Sequence, residues 1–563
     1  MPTIPVSEVG TSGIIRDIPS VLLPANAWSN GRNVRFDNDS VEKIAGHQVL
    51  WEARQYTSDS DPTLIPINPT MVQYWPRPGN PYYVYGDAEY LYRVDGAGNV
   101  ASINPGHDTT MRRGNPFNAT GRWQSTLFNG GFSLVVNNEV ETPHYITVNS
   151  ATPGAENTLE LVPLPNFKVV STDMDNRTVA KVIRAVDGIL VAGNITSNIG
   201  VADTRFQPGM VLLSSQVATG EGFPDSWGLQ AGNRGTGDVI QLSVSSPVLE
   251  IVSLRGQIMI FTSDSLHYVR PRIRDGGITA SGELNVGKGI LATGCAVAYE
   301  GSVFVVDKND IYVTSGTGSV KSVANHIVRD YFFSNIDNRF DAVSGRFNYE
   351  NTFVQLNSAQ DEIWVCYPTR TSTGGFCNEA LIWNYRENYW TIRDLPNSRS
   401  ATYGPISDMS RYLEASENIV FTGYRSNGGS SSYLLAGDVG RTFADDDFEA
   451  FVERRCLELD GDTETTDWLG TLYPKVEGDA TLQINMRGDN TLQGSLNRTL
   501  SGDDRRLSKR TFDVQEDYKI DPKVNGRFIS YNISSQPETM ASDAKHWRMA
   551  SFAFNTKDSQ DRR

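Results

Sequence analysis

The chain has 563 residues, a formal net charge of −16 at pH 7 and only four cysteines. This length exceeds what one hydrophobic core usually organises, so we expect two to four domains. The negative balance argues against a protein whose whole surface grips nucleic acid, since affinity for duplex DNA comes mainly from Lys and Arg side chains that neutralise phosphates.

The composition favours strands over helices. The chain contains 50 Gly and 26 Pro together with 23 Tyr, 23 Phe and 10 Trp, a mixture typical of short strands joined by tight turns. Apolar runs with a sustained period of 3.6 residues are nearly absent. The sequence therefore predicts an all-β protein.

The cysteines and the N-terminal residues indicate the cellular compartment in which the chain is expected to assemble. Cys295, Cys366, Cys377 and Cys456 form no C-x-x-C pair and give no disulfide framework, so we expect reduced, buried thiols. The N-terminal MPTIPVSEVG has neither a basic start nor an apolar run, and no stretch approaches the ~20 apolar residues that span a bilayer. We expect assembly in the cytoplasm and no membrane segment.

The first predicted element is an extended arm followed by a hairpin, within residues 13–46. Pro19 and Pro24 bias their predecessors to extended geometry, and Asn30-Gly31 is a strong turn signal. The apolar residues on either side of Asp37-Asn38-Asp39 predict two short strands. An ordinary edge hairpin with an N-terminal tail would give the same pattern.

A degenerate repeat occupies the middle of the chain. An apolar strand, a polar turn and a second strand recur in YGDAEYLYR, FTSDSLHYV and VDKNDIYVT, and more loosely elsewhere. Equivalent positions 45 to 70 residues apart are Tyr85, Val136, Val191, Phe261, Val306 and Val365.

This spacing predicts a β-propeller of about six irregular blades over residues 61–440. The longest interval contains the Gly-rich GNRGTG, which indicates a loop inserted near 205–245. A string of unrelated hairpins in a sandwich is the alternative.

The pattern of apolar and polar residues changes from about Phe448, and a separate β-domain is predicted for residues 441–563. Apolar and polar positions alternate there, as at Leu482, Ile484 and Met486, which is the pattern of half-buried antiparallel strands. Two further apolar blocks, VNGRFISYNISS and HWRMASFAFN, close the sequence.

The order of short motifs at both ends resembles the podovirus tail-nozzle family, also called tail tubular protein B or packaged-DNA stabilisation protein. The N-terminal motif residues are Gly13, Asp17, Pro19, Pro24, Trp28, Asn33 to Phe36, Val41 and Gly46. The C-terminal ones are Glu453-Arg454-Arg455, Tyr473 to Gly478, Gly526-Arg527-Phe528 and Trp547 to Phe554. Each motif is short, and their order is the specific part.

The resemblance implies an architecture and a role. Residues 1–60 and the C-terminal β-domain would form a platform that carries the propeller. Six copies would form a nozzle below the head-to-tail adaptor, with tail fibres or a tail-tip protein as further partners. The ring would retain double-stranded genomic DNA and conduct it without sequence specificity, so the chain is expected in the virion tail. Candidates for platform structure and for adaptor or subunit contact are Trp28, Arg35, Phe36, Arg454, Gly526, Arg527 and Trp547.

Charge gives this role a physical basis. An acidic channel wall repels phosphates and leaves few sticking points for a moving polyanion, although ordinary acidic solubility explains the same net charge. Two basic clusters interrupt the acidic background. Three interpretations are open for each: contact with DNA phosphates in the channel, docking on an acidic neighbouring subunit, or a solvated loop. The clusters are Arg270, Arg272 and Arg274, and Arg505, Arg506, Lys509 and Arg510.

Catalytic motifs are missing from the sequence. It contains no HExxH, GxSxG, GxxxxGK[ST] or strand-associated GxGxxG. His267 is expected to be a packed imidazole, and Asp445-Asp446-Asp447 a solvated linker rather than a cation site. We therefore expect no catalytic residues, no metal, no cofactor and no enzymatic activity. The rival hypotheses are a propeller depolymerase acting on host surface glycan, with aromatic side chains as sugar platforms, and a receptor-binding propeller.

Overall fold

Strands are the main regular secondary structure of the computed structural model. It describes residues 3–77, 81–108, 111–147, 159–215, 224, 226–228, 237–242, 246–271, 278–406, 417–424, 432–444, 446–458, 466–500, 506–535 and 544–559. Two α-helices occur in this part of the chain, α1 (Arg329–Asn335) and α2 (Leu492–Asn497). The all-β class predicted from composition is confirmed.

The N-terminal strands divide between several sheets. They are β1 (Thr3–Val6), β2 (Asn30–Arg32), β3 (Val34–Asp37), β4 (Ser40–Lys43), β5 (His47–Glu52), β6 (Arg54–Tyr56) and β7 (Leu64–Pro66). The predicted hairpin is β3–β4, which pairs Asp37 with Ser40 across a two-residue turn. Asn38 and Asp39 in that turn have φ of 46° and 60°, the left-handed geometry of a type I′ turn that favours these residue types.

A propeller follows, and the described residues contain seven of its four-stranded antiparallel sheets. The first three blades are β8–β11 (Met71–Trp75, Tyr82–Gly86, Leu91–Val94, Val100–Ser102), β12–β15 (Gln124–Phe128, Ser133–Asn137, His144–Thr147, Val162–Pro163) and β16–β19 (Val179–Val186, Ile189–Ser197, Arg205–Leu213, Asp238–Gln241). The fourth and fifth are β20–β23 (Val248–Leu254, Gln257–Thr262, Ser265–Pro271, Ile278–Val286) and β24–β27 (Ala296–Tyr299, Ser302–Val306, Ile311–Thr314, Val320–Ser322).

Helix α1 and a small hairpin, β28–β29 (Phe340–Asp341, Arg346–Phe347), precede the sixth blade. The last two sets of blade strands are β30–β33 (Phe353–Asn357, Glu362–Tyr367, Cys377–Asn384, Tyr389–Ser398) and β34–β36 (Ala401–Pro405, Glu417–Tyr424, Ser432–Gly437). The seventh blade is completed by β5, which pairs with β36.

The blades form a closed ring. Contacts join their first strands in the circuit β8, β12, β16, β20, β24, β30, β34 and back to β8, so the first strand of each blade lies at the axis. The structure has one blade more than the six or so that the repeat predicts. The six positions aligned in sequence all fall on second strands of blades, whereas the seventh blade takes its outermost strand from the distant N-terminal segment and leaves no local repeat to see.

Tight turns explain why neighbouring strands pair within a blade. The first and second strands of the third, fourth and fifth blades are joined at Asp187-Gly188, Arg255-Gly256 and Glu300-Gly301, where all six residues have positive φ. Such two-residue turns match the right-handed twist of the strands. The branched and aromatic side chains that follow pack between blades.

The platform combines both ends of the chain. Its C-terminal strands are β37 (Ala450–Leu457), β38 (Thr466–Gly478), β39 (Thr481–Asp489), β40 (Ser508–Asp513), β41 (Val524–Gly526), β42 (Phe528–Ser535) and β43 (Trp547–Ser559). One sheet has the order β3-β4-β43-β38-β41, with β1 also paired to β43, and the other has the order β2-β37-β42-β39-β40. Each sheet therefore contains arm strands and C-terminal strands, which confirms the predicted platform.

The platform packs against the sixth blade. Backbone hydrogen bonds run from Ile14 N to Trp390 O (3.0 Å) and from Asn33 N to Ile392 O (2.8 Å). A continuous buried cluster joins side chains of both platform sheets to those of the fourth, fifth and sixth blades. Hydrophobic burial of this kind is the main favourable contribution to association of the two bodies.

Two predicted segments are divided differently in the structure. Residues 1–60 contribute β1–β4 to the platform but β5 to the propeller, because β36 needs an outer partner. In the segment 205–245, β18 and β19 are regular strands of the third blade. Only the residues between them remain for an insertion, and most of these, including GNRGTG as far as Thr236, lie outside the described residues.

Candidate functional site

The N-terminal motif fastens the platform to the propeller. The Asp17 carboxylate accepts hydrogen bonds from the backbone N–H groups of Asp330 (2.9 Å) and Tyr331 (3.0 Å), at the start of α1. Gly13 has a φ of 62°, and a Cβ there would approach the Cβ of Tyr389 to 2.7 Å. Only glycine fits such a left-handed position against a neighbouring strand.

Asn33 ties the same joint from the platform side. Its φ is 57°, and its Nδ2 donates to Asp394 of the sixth blade (2.9 Å) and to the Glu449 carbonyl (2.8 Å). The Asp394 N–H donates back to the Asn33 Oδ1 (2.9 Å). The motif residues thus act as fasteners between the arm, the sixth blade and the start of the C-terminal domain.

The aromatic residues predicted for contact lie in the core. Trp28, Phe36 and Trp547 are each at most 1% exposed. Trp28 donates its indole N–H to the Val9 carbonyl (2.7 Å), and Phe36 packs edge-on against Tyr389 with ring centroids 5.4 Å apart. Side chains buried within their own chain have no surface to offer a neighbour, so we retain only their predicted role in platform structure.

Arg454 is buried as well, at 1% exposed. Its guanidinium donates to the carbonyls of Ser20 and Leu23, the latter at 2.6 Å, and so holds the arm against β37. Burial lowers the pKa of this group. At Gly526 a Cβ would come within 2.5 Å of the Asp489 nitrogen, so this glycine permits two platform strands to cross. Both residues are structural.

Arg35 belongs to a buried ionic cluster, which we call the joint cluster: Arg35, Glu362, Arg393 and Asp438. Arg35 donates to Glu362 (2.7 and 3.1 Å) and to Asp438 (2.9 Å). Arg393 donates to the other Asp438 oxygen (2.6 Å). These four side chains are at most 10% exposed.

The joint cluster connects three parts of the molecule, because Arg35 lies on β3, Glu362 and Arg393 lie in the sixth blade, and Asp438 follows the seventh. Burial alone would raise the pKa of Asp438. The two guanidiniums of Arg35 and Arg393 outweigh burial and hold this pKa below its ordinary value. The cluster therefore depends on all of its members staying charged.

The acidic run at 445–447 is not a solvated linker throughout. Lys43 donates to the Asp447 carboxylate (2.7 Å), and both side chains are at most 2% exposed. The Lys43 ammonium also lies 4.3 Å from the centroid of the Phe448 ring. Asp446 is exposed, and Asp445 lies outside the described residues. The buried pair again joins the arm to the C-terminal domain.

Arg527 is the predicted contact residue that keeps an accessible side chain, with 33% of it exposed. Its Nε lies 3.7 Å from a Glu458 oxygen, and its guanidinium carbon lies 5.1 Å from the Phe528 ring centroid. The first basic cluster is represented by Arg270, an exposed residue at 5.5 Å from the Tyr268 ring centroid. Arg272 and Arg274 lie outside the described residues.

The second basic cluster lies beside a large concavity in the platform, which we call the basic groove. Its volume is about 670 Å³, and its basic lining residues are Arg498, Arg506, Arg510 and Lys523. Arg498 pairs with Asp489 (2.7 Å), which also binds Arg487 (2.9 Å). Lys509 is exposed on β40, the strand that also carries Arg510. Arg505 lies outside the described residues.

The basic groove suits a negatively charged surface. Cations here outnumber the one carboxylate in its lining, and the chain as a whole carries −16. Complementary charge of this kind steers association and fixes orientation. The sequence singled out Arg506 and Arg510 because they are adjacent to other basic residues. Arg498 and Lys523 were missed, since only the folding of β39, β40 and β41 into one region brings them together.

The histidines, cysteines and carboxylates of the described ranges form no group that could hold a metal ion. His267 is buried and hydrogen-bonded to Ser265 (2.8 Å). The four cysteines are free and buried. Neither described helix approaches the length and apolar character of a membrane span.

Comparisons with known proteins find similarity only at the level of structure. No protein-family model and no curated protein matches the sequence. The Cps50 (Swd1) β-propeller domain of Myceliophteria thermophila matches with a TM-score of 0.36 and 11% identity, over 69% of this chain and 99% of that one. Saccharomyces cerevisiae Sqt1 matches with a TM-score of 0.37 and 10% identity, over 72% of this chain and 91% of that one. The AfRom2 CNH domain matches with a TM-score of 0.34 and 8% identity, over 69% of this chain and 98% of that one.

Proposed function

We propose that this chain is a non-enzymatic structural component of a short-tailed bacteriophage tail. In this proposal six copies form the nozzle below the head-to-tail adaptor, and the ring retains packaged DNA and conducts it outward at infection. The supporting observation is that motif residues from both chain ends meet in one platform and fasten it to a propeller, the architecture that the resemblance implies.

The proposed mechanism is geometric and electrostatic. A ring of identical copies is built from heterologous interfaces that return on themselves after the last copy. Its wall is made of a chain with a net charge of −16, so it repels the phosphates of duplex DNA. Affinity for DNA requires cations at the phosphates. Because the wall offers few of them, the DNA moves through the ring without being held.

The basic groove is assigned to the contacts within this assembly. Arg506 and Arg510 would meet an acidic surface on the next copy or on the adaptor, which fixes the orientation of each subunit. Tail fibres or a tail-tip protein are further partners in the proposal, and duplex DNA passes without sequence-specific contacts. The location is the virion tail, after assembly in the host cytoplasm.

Native mass spectrometry of the purified chain with its adaptor tests the proposal. We expect a species containing six times the 62.1 kDa chain mass, seen in electron micrographs as a ring whose bore admits duplex DNA. A monomer or trimer that shortens host surface polysaccharide would contradict the proposal and favour a depolymerase. A monomer that binds intact polysaccharide or whole host cells would favour a receptor-binding protein.

A further inference from the structure

A small cavity of about 180 Å³ lies at the propeller axis, and we call it the axial cavity. Its lining includes the beginnings of β8, β12, β30 and β34, the residues just before β24, and Arg184 of β16. The carboxylate of Glu250, on β20, accepts hydrogen bonds from Arg184 (2.9 Å) and from the Gly294 N–H (2.7 Å). First strands of all the blades therefore meet around one small space.

Arg122, Arg184 and Arg399 are the charged residues that line the axial cavity. Arg122 donates to the Glu350 carbonyl, and Arg399 donates to the Gly374 carbonyl (2.7 Å) and lies 4.2 Å from the Phe376 ring centroid. Neither guanidinium has an ion-pair partner among the residues that the structure describes. Arg184, by contrast, pairs with Glu250.

The nearest buried carboxylate is shared with other cations. Glu139 attracts Arg122 electrostatically, but its direct ion pairs are with Lys181 (2.6 Å) and Arg346 (2.7 Å). Burial is the main cause that lowers the pKa of Arg399. Cys377 opposes it, the nearby Arg122 lowers the pKa further, and Asp341 has a smaller raising effect. An arginine remains charged in proteins, so this shift reports a positive charge held in a poorly solvated place.

Two buried polar atoms at the axial cavity have no hydrogen-bond partner among the described residues. The Thr293 side chain lines the cavity, is 2% exposed and has a hydroxyl without a hydrogen-bond partner. The buried Nε of Arg399 likewise has no partner. Buried polar groups are nearly always satisfied in native proteins, by the protein, by water or by a ligand.

We propose that the axial cavity binds a small, multiply charged oxyanion of the phosphate or sulfate class, held by Arg122 and Arg399 with Thr293 nearby. Guanidinium forks match the geometry of such oxyanions and form strong charge-assisted hydrogen bonds. A cavity of about 180 Å³ has room for such an anion but not for duplex DNA. The bound anion would link the second and seventh blades through their first strands.

Calorimetric titration of the full chain with inorganic phosphate at constant ionic strength tests this assignment. We expect saturable binding of one phosphate per chain with a Kd of about 1 mM or tighter. Arg399→Gln and Arg122→Gln should each weaken binding about tenfold or more, since each removes a charged donor. The matched control is Arg370→Gln, an exposed arginine outside the cavity lining, which should leave the affinity unchanged.

Two results would overturn the proposal: no saturable binding by the wild-type chain, or binding that survives both cavity substitutions. Circular dichroism shows whether each variant is folded. If Arg399→Gln does not fold, the phosphate affinity of Arg122→Gln is the test of the proposal. Arg399→Lys keeps the charge but not the fork, so we expect an affinity between those of wild type and Arg399→Gln. Density for one anion beside Arg399 in a phosphate-soaked structure would locate it. These outcomes do not depend on whether the chain forms a ring.

Discussion

The arginines at the platform–propeller joint and those at the propeller axis have different partners. In the joint cluster, Arg35 and Arg393 share the Asp438 carboxylate. At the axis, Arg122 and Arg399 donate to backbone carbonyls instead. At the joint the arginines are neutralised within the chain and hold two bodies together, whereas at the axis the arginines keep positive charge available for a ligand.

Substitution of the shared carboxylate should have the largest effect on this comparison. Asp438→Asn leaves the two guanidiniums of Arg35 and Arg393 buried with Glu362 as their remaining acid. Removing one partner of a buried ion network typically costs about 3–5 kcal/mol, so we expect a large fall in the guanidinium chloride midpoint. The control is Asp361→Asn, since Asp361 pairs with an exposed Arg386 (60% exposed) and should cost about 1 kcal/mol or less. Equal midpoints for the two variants would contradict a neutralised joint.

Acidification should weaken the joint through His47. This side chain is 2% exposed and stacks on Phe443 with ring centroids 4.3 Å apart. Burial, and then the positive charge of Arg393, lower its pKa well below the usual 6.5, against the opposing effect of Asp438. Below about pH 6.5 the unfolded chain binds a proton that the folded chain does not, so stability falls as pH decreases.

The expected loss is up to about 1.4 kcal/mol per pH unit from this one group. Thermal unfolding of wild type and His47→Gln between pH 7.5 and 5 measures it, with His326→Gln, an exposed histidine, as the control. The wild type and the control should lose more stability on acidification than His47→Gln does. Parallel pH profiles for all three proteins would show that His47 is not the group responsible.

Removal of an axial arginine should have a small effect on stability when phosphate is absent. Arg399→Gln deletes a half-buried charge that forms no ion pair within the described part of the chain, so we expect a change within about 1 kcal/mol. Arg393→Gln instead leaves Asp438 with one partner fewer and should cost several times more. Denaturant unfolding in phosphate-free buffer compares them, and equal losses would remove the contrast between joint and axis.

Charge reversal in the basic groove should have the smallest effect on the fold. Arg506 and Arg510 are exposed, and surface substitutions usually change stability by no more than about 0.5 kcal/mol. The Arg506→Glu, Arg510→Glu variant should therefore melt as wild type does but fail to enter the assembly seen by native mass spectrometry. Arg370→Glu is the control and should assemble normally. Normal assembly of the groove variant would exclude the groove as a contact surface.

Local patterns were sufficient to predict most of the propeller. The six aligned positions from Tyr85 to Val365 depend on strand–turn–strand units that are contiguous in sequence, and each falls on the second strand of a blade. The seventh blade could not be seen in this way, because β5 and β36 are nearly 400 residues apart and pair only in the folded chain. Strand pairing at such a separation leaves no periodic signal.

The sequence could not separate buried from exposed basic residues. Arg35 and Arg454 belong to short motifs that suggested contact, yet the structure buries one against Glu362 and Asp438 and the other against arm carbonyls. Burial of an arginine depends on partners from distant segments, and here each partner comes from another part of the fold. The axial cavity was missed for the same reason, since Arg122, Arg184 and Arg399 are far apart in sequence.

Electron cryo-microscopy of phage particles that contain this chain would show whether it forms the tail nozzle. We expect six copies arranged around the tail axis below the adaptor, with platforms in mutual contact and a bore wide enough for duplex DNA. Density for this chain away from the tail axis, or as separate monomers on fibres, would contradict the nozzle proposal.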